Sequence, residues 1–110
     1  MAVRPLLAED IAPGTCYRVI ISGKELAIFN VDGQFYVTQA ECTHRGGPLC
    51  EGSLSADVVS CPWHGSQFNV RTGEVVGPPA EKPLTTYQVE VRDGVIFIGT
   101  SNLAPAVTAE

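Results

Sequence analysis

Two short motifs place both histidines of this 110-residue chain beside a cysteine. The first motif, Cys-Thr-His, runs from Cys42 to His44, and the second, Cys-Pro-Trp-His, runs from Cys61 to His64. Sixteen residues separate the motifs, and a glycine stands within two residues of each histidine. Thiolate and imidazole are common metal ligands, and glycine lets the backbone approach an inorganic centre closely. The chain is therefore expected to fold so that two glycine-containing loops meet around a metal centre.

Four kinds of site are compatible with a cysteine and a histidine in each motif. In the first, the pairing is a coincidence, and the residues are two buried cysteines and two structural histidines. The second is a catalytic Cys–His pair, which leaves the duplication unexplained. Zinc accepts two cysteines and two histidines, but its usual motifs place the two cysteines together and the two histidines together. A single residue between Cys and His also makes it difficult for both to bind the same ion. A binuclear iron–sulfur centre avoids this crowding, because each motif can send its cysteine to one iron and its histidine to the other. The residues favour this last site.

The rest of the chain has the composition and spacing of an all-β protein. Val, Ile and Thr contribute 27 of the 110 residues, and no segment of 11 or more residues keeps a helical period. Strands are predicted over residues 17–21, 25–31, 34–38, 57–61, 67–70, 85–91 and 95–99. Asp-Gly pairs at 32–33 and 93–94 are typical of two-residue hairpin turns. The predicted fold is an antiparallel β sandwich or barrel.

The length and the apolar content fit a single domain over residues 1–110. Two glycine-rich loops with one short strand between them are expected over residues 41–66. The Gly-Pro-Pro segment at 77–79 is excluded from a central strand, because proline lacks the N–H of the strand ladder. Residues 100–110 show no pattern and are expected to be flexible.

Charge and hydropathy argue against several function classes. The net charge of −5 and the scatter of two lysines and five arginines argue against nucleic acid, which needs clustered basic residues. No apolar run approaches the ~18 residues of a membrane-spanning helix, and charged residues interrupt the N-terminal apolar stretches, so no signal peptide is predicted. A cytoplasmic location is expected, in which the four cysteines would be metal ligands or free thiols rather than disulfides.

The spacing of the two motifs resembles that of the Rieske [2Fe–2S] domain: Cys-x-His, sixteen residues, then Cys-x-x-His-Gly. The strand pattern between about residues 4 and 99 is also similar to that all-β fold. The resemblance implies one [2Fe–2S] cluster per chain, with Cys42 and Cys61 on the inner iron and His44 and His64 on the outer iron. It further implies that the two loops form a small cluster-binding subdomain and that segment 77–79 covers the cluster as a proline loop.

This chain departs from the respiratory members of the family. Those proteins join the two loops by a disulfide, but Gly47 and Trp63 occupy the corresponding positions here. They also place a serine and a tyrosine after the second histidine; Ser66 is retained, whereas Phe68 stands in place of the tyrosine and lacks its hydroxyl. The resemblance therefore implies a reduction potential nearer the lower end of the Rieske range, about −150 mV, than its upper end.

Two cysteines, Cys16 and Cys50, match neither a ligand position nor a disulfide position of the family. Cys16 is expected in or beside a strand as a small apolar residue, and Cys50 in the first loop as a partly exposed thiol. Trp63 is expected either to pack over its loop or to offer a flat apolar surface beside the two histidines.

Once His44 and His64 are assigned to the cluster, no histidine remains for the mononuclear iron of a Rieske oxygenase, and no Gly-x-Gly-x-x-Gly motif offers a nicotinamide or flavin site. The chain resembles the ferredoxin components of bacterial ring-hydroxylating oxygenases, which are soluble one-electron carriers and not enzymes. The resemblance implies that it accepts electrons from a flavin-containing, NAD(P)H-dependent ferredoxin reductase and delivers them to a terminal oxygenase, docking near His44 and His64. The alternative is a Rieske-like subunit of a larger oxidoreductase such as nitrite reductase.

Overall fold

The computed structural model describes residues 5–21, 23–43, 46–63, 65–78, 80–99 and 103–107. These residues form two antiparallel sheets and two single-turn 3₁₀ helices. The strands are β1 (Cys16–Ile21), β2 (Lys24–Val31), β3 (Gln34–Gln39), β4 (Ser53–Ser55), β5 (Val58–Ser60), β6 (Gln67–Asn69), β7 (Val75–Gly77), β8 (Thr86–Arg92), β9 (Val95–Gly99) and β10 (Ala104–Pro105). The 3₁₀ helices are Ala8–Asp10 and Leu49–Glu51. No helix in the described ranges is long and apolar enough to cross a membrane.

The larger sheet has six strands in the order β1-β2-β3-β8-β9-β10. Asp32 and Gly33, between β2 and β3, both have positive φ, as do Asp93 and Gly94 between β8 and β9. Positive φ at both central residues defines the type I′ turn, whose twist matches that of the flanking strands. The predicted antiparallel β fold and both Asp-Gly hairpins are confirmed.

The smaller sheet has four strands in the order β4-β5-β6-β7, and the chain forms it between two strands of the larger sheet. The cysteine motifs lie in this insertion, the first between β3 and β4 and the second between β5 and β6. Ser60 pairs with both Ser53 and Gln67, and Gln67 pairs with Gly77. Both loops and the segment after Gly77 therefore leave the smaller sheet at the same end.

Strand β2 separates two apolar cores. Alternate residues of a strand point to opposite faces of its sheet. The terminal core consists of Leu6, Ile11, Val19, Leu26, Ile28, Val37, Ile96, Ile98 and Ala106. The metal-side core consists of Ala27, Phe29, Ala40, Cys42, Leu49, Val59, Cys61, Phe68, Val70, Ala80 and Leu84. Strand β2 is buried on both faces because it contributes to both cores, and both cysteines of the motifs lie in the metal-side core.

Three short strands, β4, β7 and β10, are absent from the sequence prediction. Each has only two or three residues, so none can show the alternation that reveals a longer strand. The loop region predicted over 41–66 accordingly contains two strands, β4 and β5, where one was expected. Strand β7 ends directly before Pro78 and lies at the edge of its sheet, where a following proline interrupts no ladder.

The expectation of a flexible tail is wrong for residues 103–107. Strand β10 pairs with β9, and Ala106 is fully buried in the terminal core. The Ala106 N–H donates to the Ile96 carbonyl at 2.8 Å, and the Leu6 N–H donates to the Ala106 carbonyl at 2.8 Å. Pairing with β9 and hydrogen bonding to Leu6 near the N-terminus hold this segment, so its own residues gave no signal. Residues 100–102 and 108–110 of the predicted tail lie outside the described residues.

Candidate metal centre

Cys42 and Cys61 begin two loops that backbone hydrogen bonds close. The Cys42 N–H donates to the Gly47 carbonyl at 2.8 Å, and the Gly46 N–H donates back to the Cys42 carbonyl at 2.9 Å. In the second loop, the Cys61 N–H donates to the Ser66 carbonyl at 2.8 Å. Each loop thus folds back on its first residue, and both cysteine side chains are only 3% exposed in the metal-side core.

The two buried thiols contact each other. A side-chain hydrogen bond joins Cys42 and Cys61, and the Trp63 N–H donates to the Cys61 Sγ at 3.4 Å. Burial raises the pKa of the Cys61 thiol, and the neighbouring Cys42 raises it further, whereas the hydrogen bond from Trp63 lowers it. Two adjacent thiolates in apolar surroundings are unfavourable by themselves, and a bound metal cation removes that penalty. The pair therefore suits a metal centre with thiolate ligands.

Gly47 allows the first loop to pack directly on the second. A Cβ atom at this position would lie 2.6 Å from the Cys61 Sγ and 3.2 Å from two ring carbons of Trp63. Only glycine permits so close an approach. Gly47 and Trp63 occupy the positions at which the family resemblance places the respiratory disulfide, so packing replaces a covalent link here. Trp63 remains 50% exposed, so it both packs over the loop and presents apolar surface.

A third segment, residues 80–84, forms a hydrogen bond with each of the two loops. The Ala80 N–H donates to the Ser66 Oγ at 3.1 Å, and the Thr43 hydroxyl donates to the Lys82 carbonyl at 2.6 Å. Ser66 is fully buried, so its hydroxyl satisfies a backbone donor that would otherwise lack a partner away from water.

This segment follows the predicted proline loop at 77–79. Gly77 ends β7 and Pro78 is exposed, whereas Pro79 lies outside the described residues. Because Gly77 is at the same end of the smaller sheet as both cysteine loops, its position is compatible with the predicted loop. Cover of the cluster by residues 77–79 stays a prediction.

The predicted histidine ligands, His44 and His64, lie outside the described residues. Within the described ranges, no group of three or more His, Cys, Asp or Glu side chains is placed to hold a metal ion. The structure brings together the other two predicted ligands, Cys42 and Cys61, as a buried pair from two loops. This donor set fits the thiolate half of a [2Fe–2S] site, and the assignment of all four ligands stays a prediction.

The expectation that Cys16 and Cys50 are free thiols is wrong. They form a disulfide, with their Cα atoms 5.1 Å apart. Cys16 begins β1, and Cys50 lies in the 3₁₀ helix Leu49–Glu51 of the first loop. The two residues are 34 positions apart in sequence, and only the packing of that loop against β1 brings them within bonding distance. No local sequence signal could therefore have revealed the pair.

Comparison with known proteins identifies the class to which this site belongs. The Rieske [2Fe-2S] domain profile matches residues 3–88. Ferredoxin CarAc of Metapseudomonas resinovorans is 42% identical over 92 residues, which cover 83% of this chain and 86% of that protein. The biphenyl dioxygenase ferredoxin subunit of Pseudomonas sp. (strain KKS102) is 39% identical over 97 residues, which cover 87% of this chain and 89% of that protein.

A solved structure is similar to this chain at the level of the fold as well as the sequence. It is described as a complex of reduced oxygenase and oxidized ferredoxin in carbazole 1,9a-dioxygenase. One of its chains is 40% identical to this one with a TM-score of 0.82, and the match covers 87% of this chain and 100% of that chain.

The chain therefore belongs to the Rieske [2Fe–2S] family. It is a Rieske-type ferredoxin, an electron-transfer component that carries one [2Fe–2S] cluster and is not itself a catalytic enzyme. This conclusion replaces the two alternatives of a zinc site and a nitrite reductase subunit, because the relatives described above are ferredoxins of oxygenase systems.

Proposed function

We propose that this chain carries single electrons from a flavin-containing, NAD(P)H-dependent ferredoxin reductase to a terminal oxygenase. Cys42 and Cys61 hold the inner iron of its cluster, His44 and His64 hold the outer iron, and residues 1–110 act as one domain in the cytoplasm. The observation that carries the proposal is the buried, hydrogen-bonded pair of thiols that two loops present to each other in a chain related to dioxygenase ferredoxins.

The chain's own residues set the surroundings of the site. When bound, the cluster accepts one electron and releases it again. Leu49 and Phe68, both fully buried in the metal-side core, exclude water from the side of Cys42 and Cys61. The hydrogen bonds within the loops and from residues 80–84 leave the loops little freedom to move when the charge of the site changes.

The class of redox partner proposed for this chain is inferred from its relatives. The carbazole 1,9a-dioxygenase structure contains a ferredoxin in complex with an oxygenase. In this chain, the half-exposed Trp63 lies beside Cys61 in the loop that leads to His64. An apolar surface at this end, near His44 and His64, suits the small and transient interface that a mobile electron carrier needs.

Anaerobic redox titration followed by electron paramagnetic resonance tests the ligand assignment. We expect the purified protein to take up one electron at about −150 mV, the lower end of the Rieske range, with a Rieske-type signal. His64→Ala and Cys61→Ser are expected to lose that signal, whereas Ser60→Ala, directly before Cys61, is expected to keep it. A wild-type signal in His64→Ala would overturn the assignment.

Reconstitution tests the partners. The chain is added to the reductase and terminal oxygenase of a carbazole 1,9a-dioxygenase system from which the native ferredoxin has been omitted. We expect NAD(P)H-dependent product formation only when this chain is present and loaded with its cluster. A loaded chain that dithionite reduces but the flavin reductase does not would contradict the proposed electron source.

A further inference from the structure

The Cys16–Cys50 disulfide connects the larger sheet to the loop that carries the first cysteine motif. Cys16 is the first residue of β1, which is an edge strand in the described strand order. Cys50 lies eight residues after Cys42 in the same loop. Both disulfide cysteines pack against the metal-side core, which also holds Cys42 and Cys61. The bond is therefore a covalent tie between the rigid sheet and the metal-binding loop.

The disulfide is accessible to small molecules. Both of its cysteines are half-buried, and both line a cavity of about 230 Å³. The wall of this cavity also includes three small residues, Gly14, Thr15 and Gly52. One water molecule needs about 10–15 Å³ of such space, so the cavity admits solvent and a small thiol. Access of this kind is a requirement for thiol–disulfide exchange.

The two ends of the disulfide differ in how firmly other contacts hold them. Strand β1 pairs with β2 at six consecutive positions, from Cys16 opposite Phe29 to Ile21 opposite Lys24. The part of the first loop around Cys50 is held by isolated backbone hydrogen bonds, such as that from the Leu49 N–H to the Ala40 carbonyl at 3.0 Å, and by the buried Leu49 side chain, rather than by a continuous strand pairing. Breaking the disulfide therefore leaves the sheet paired and loosens the loop.

We propose that Cys16 and Cys50 form a thiol–disulfide switch that sets how firmly the chain retains its cluster, an inference that rests on the proposed ligand role of Cys42. In the disulfide state the first loop is clamped to β1; in the dithiol state the loop that presents Cys42 moves more freely. In the cytoplasm proposed for this chain, disulfides are rare, and those that occur are usually catalytic or redox-sensing.

The switching chemistry requires a low-molecular-weight thiol as the reductant. Its thiolate attacks one sulfur of the disulfide, forms a mixed disulfide and releases the other cysteine as a thiolate. A second thiol completes the exchange. Two external thiols are thereby oxidised to one external disulfide, while Cys16 and Cys50 together gain two electrons and two protons.

Iron release from the loaded protein tests the proposal. The protein is equilibrated anaerobically with an excess of either oxidised or reduced dithiothreitol, an iron chelator is added, and loss of the visible absorbance of the cluster is followed. We expect the protein with the Cys16–Cys50 disulfide reduced to lose its cluster about tenfold faster than the protein with the disulfide intact. This factor is smaller than the effect that a full cross-link has on global unfolding. Alkylation and mass spectrometry of the same samples should modify Cys16 and Cys50 only after reduction.

The double variant Cys16→Ser/Cys50→Ser is the matched control for direct attack of the reagent on the cluster. It should lose iron at the rate of the reduced wild type in both forms of dithiothreitol. Equal rates for oxidised and reduced wild type would overturn the proposal, and so would alkylation of both cysteines in the oxidised sample. A chain that keeps the disulfide but binds no iron after reconstitution would overturn the proposed function, and this inference with it, so the two failures are distinguishable.

Discussion

Gly47 lies at a close contact between the two metal-binding loops. In Gly47→Ala, the added methyl group would lie 2.6 Å from the Cys61 Sγ, well inside van der Waals contact. Because Cys61 is buried and hydrogen-bonded to Cys42, its sulfur cannot move without disturbing the thiol pair. We expect a lower cluster content per chain and a loss of about 1–3 kcal/mol in the free energy of unfolding, as for other overpacked sites. Absorbance per mole of protein and thermal unfolding measure the two effects.

Gly23→Ala is the matched control for this substitution. Unlike Gly47, Gly23 has a positive φ, 79°, and the space around the position of its Cβ is open. Alanine there costs about 1–2 kcal/mol of backbone strain and does not touch the metal-side core. If Gly23→Ala lost as much cluster as Gly47→Ala, general destabilisation rather than contact with Cys61 would be the cause.

A second contact that stabilises the fold is the hydrogen bond that the Ser66 hydroxyl accepts from the Ala80 N–H. Ser66→Ala removes the acceptor of the Ala80 N–H and leaves that donor buried without its partner. We expect a loss of about 1–3 kcal/mol in the free energy of unfolding, the usual cost of such a donor. Chemical denaturation checks this value. Ser60→Ala, which removes only an acceptor for the exposed Gln67 amide, should change stability far less; equal losses would contradict the role of the Ala80 contact.

Single residues could be predicted from the sequence where their chemistry is local. The spacing of the motifs was sufficient to predict that Cys42 and Cys61 meet, because a metal centre requires both loops at one place. The disulfide between Cys16 and Cys50 depends on how a loop packs against a strand, and no spacing encodes that. The acceptor role of Ser66 likewise depends on a segment fourteen residues away.

At the scale of elements, the long strands could be predicted, and of the short ones only β5 and β6, which lie within the predicted runs 57–61 and 67–70. Strands β1, β2 and β3 have six to eight residues, and their apolar runs are bounded by clear turn residues. Strand β7 has only Val75–Gly77, and β10 has only Ala104–Pro105, so each depends on a neighbour for its conformation. Residues without a pattern of their own can still be ordered when a neighbouring strand pairs with them.

Truncation after Gly99 tests the contribution of β10. The variant loses buried Ala106 and its hydrogen bonds to Leu6 and Ile96. At about 1 kcal/mol for each hydrogen bond and a similar amount for the buried methyl group, we expect a loss of about 2–3 kcal/mol. This corresponds to a fall of about 10 °C or more in Tm for a domain of this size. The cluster should remain, because the removed residues pack in the terminal core.

A chain truncated after Val107 is the control, since it keeps every described contact of β10 and Ala106. Its Tm should fall far less than that of the chain truncated after Gly99. An unchanged Tm after truncation at Gly99 would contradict a stabilising role for β10. Loss of the visible absorbance well below the unfolding temperature would contradict the independence of the metal-side core from the tail.

At the scale of the whole molecule, the strand register places the two cysteine loops at one end, and three exposed carboxylates lie in or beside these loops. Both cysteine loops and the segment after Gly77 leave the smaller sheet at the same end. Glu41 and Glu51 are exposed in the first loop, and Glu81 is exposed just beyond the proline loop. Together with the net charge of −5, these carboxylates would attract a basic surface on a redox partner.

Electron transfer from the flavin reductase to this chain is therefore expected to slow as the salt concentration rises. The Debye length falls from about 30 Å at 0.01 M to about 10 Å at 0.1 M, and we expect the second-order rate constant to fall by about tenfold over that range. Stopped-flow absorbance measures it. Oxidation by ferricyanide is the control, because this small anion is repelled by an acidic chain and its rate should rise with salt. If the rate with the reductase also rose, the partner would present acidic rather than basic surface to this chain, and the proposed steering would be wrong.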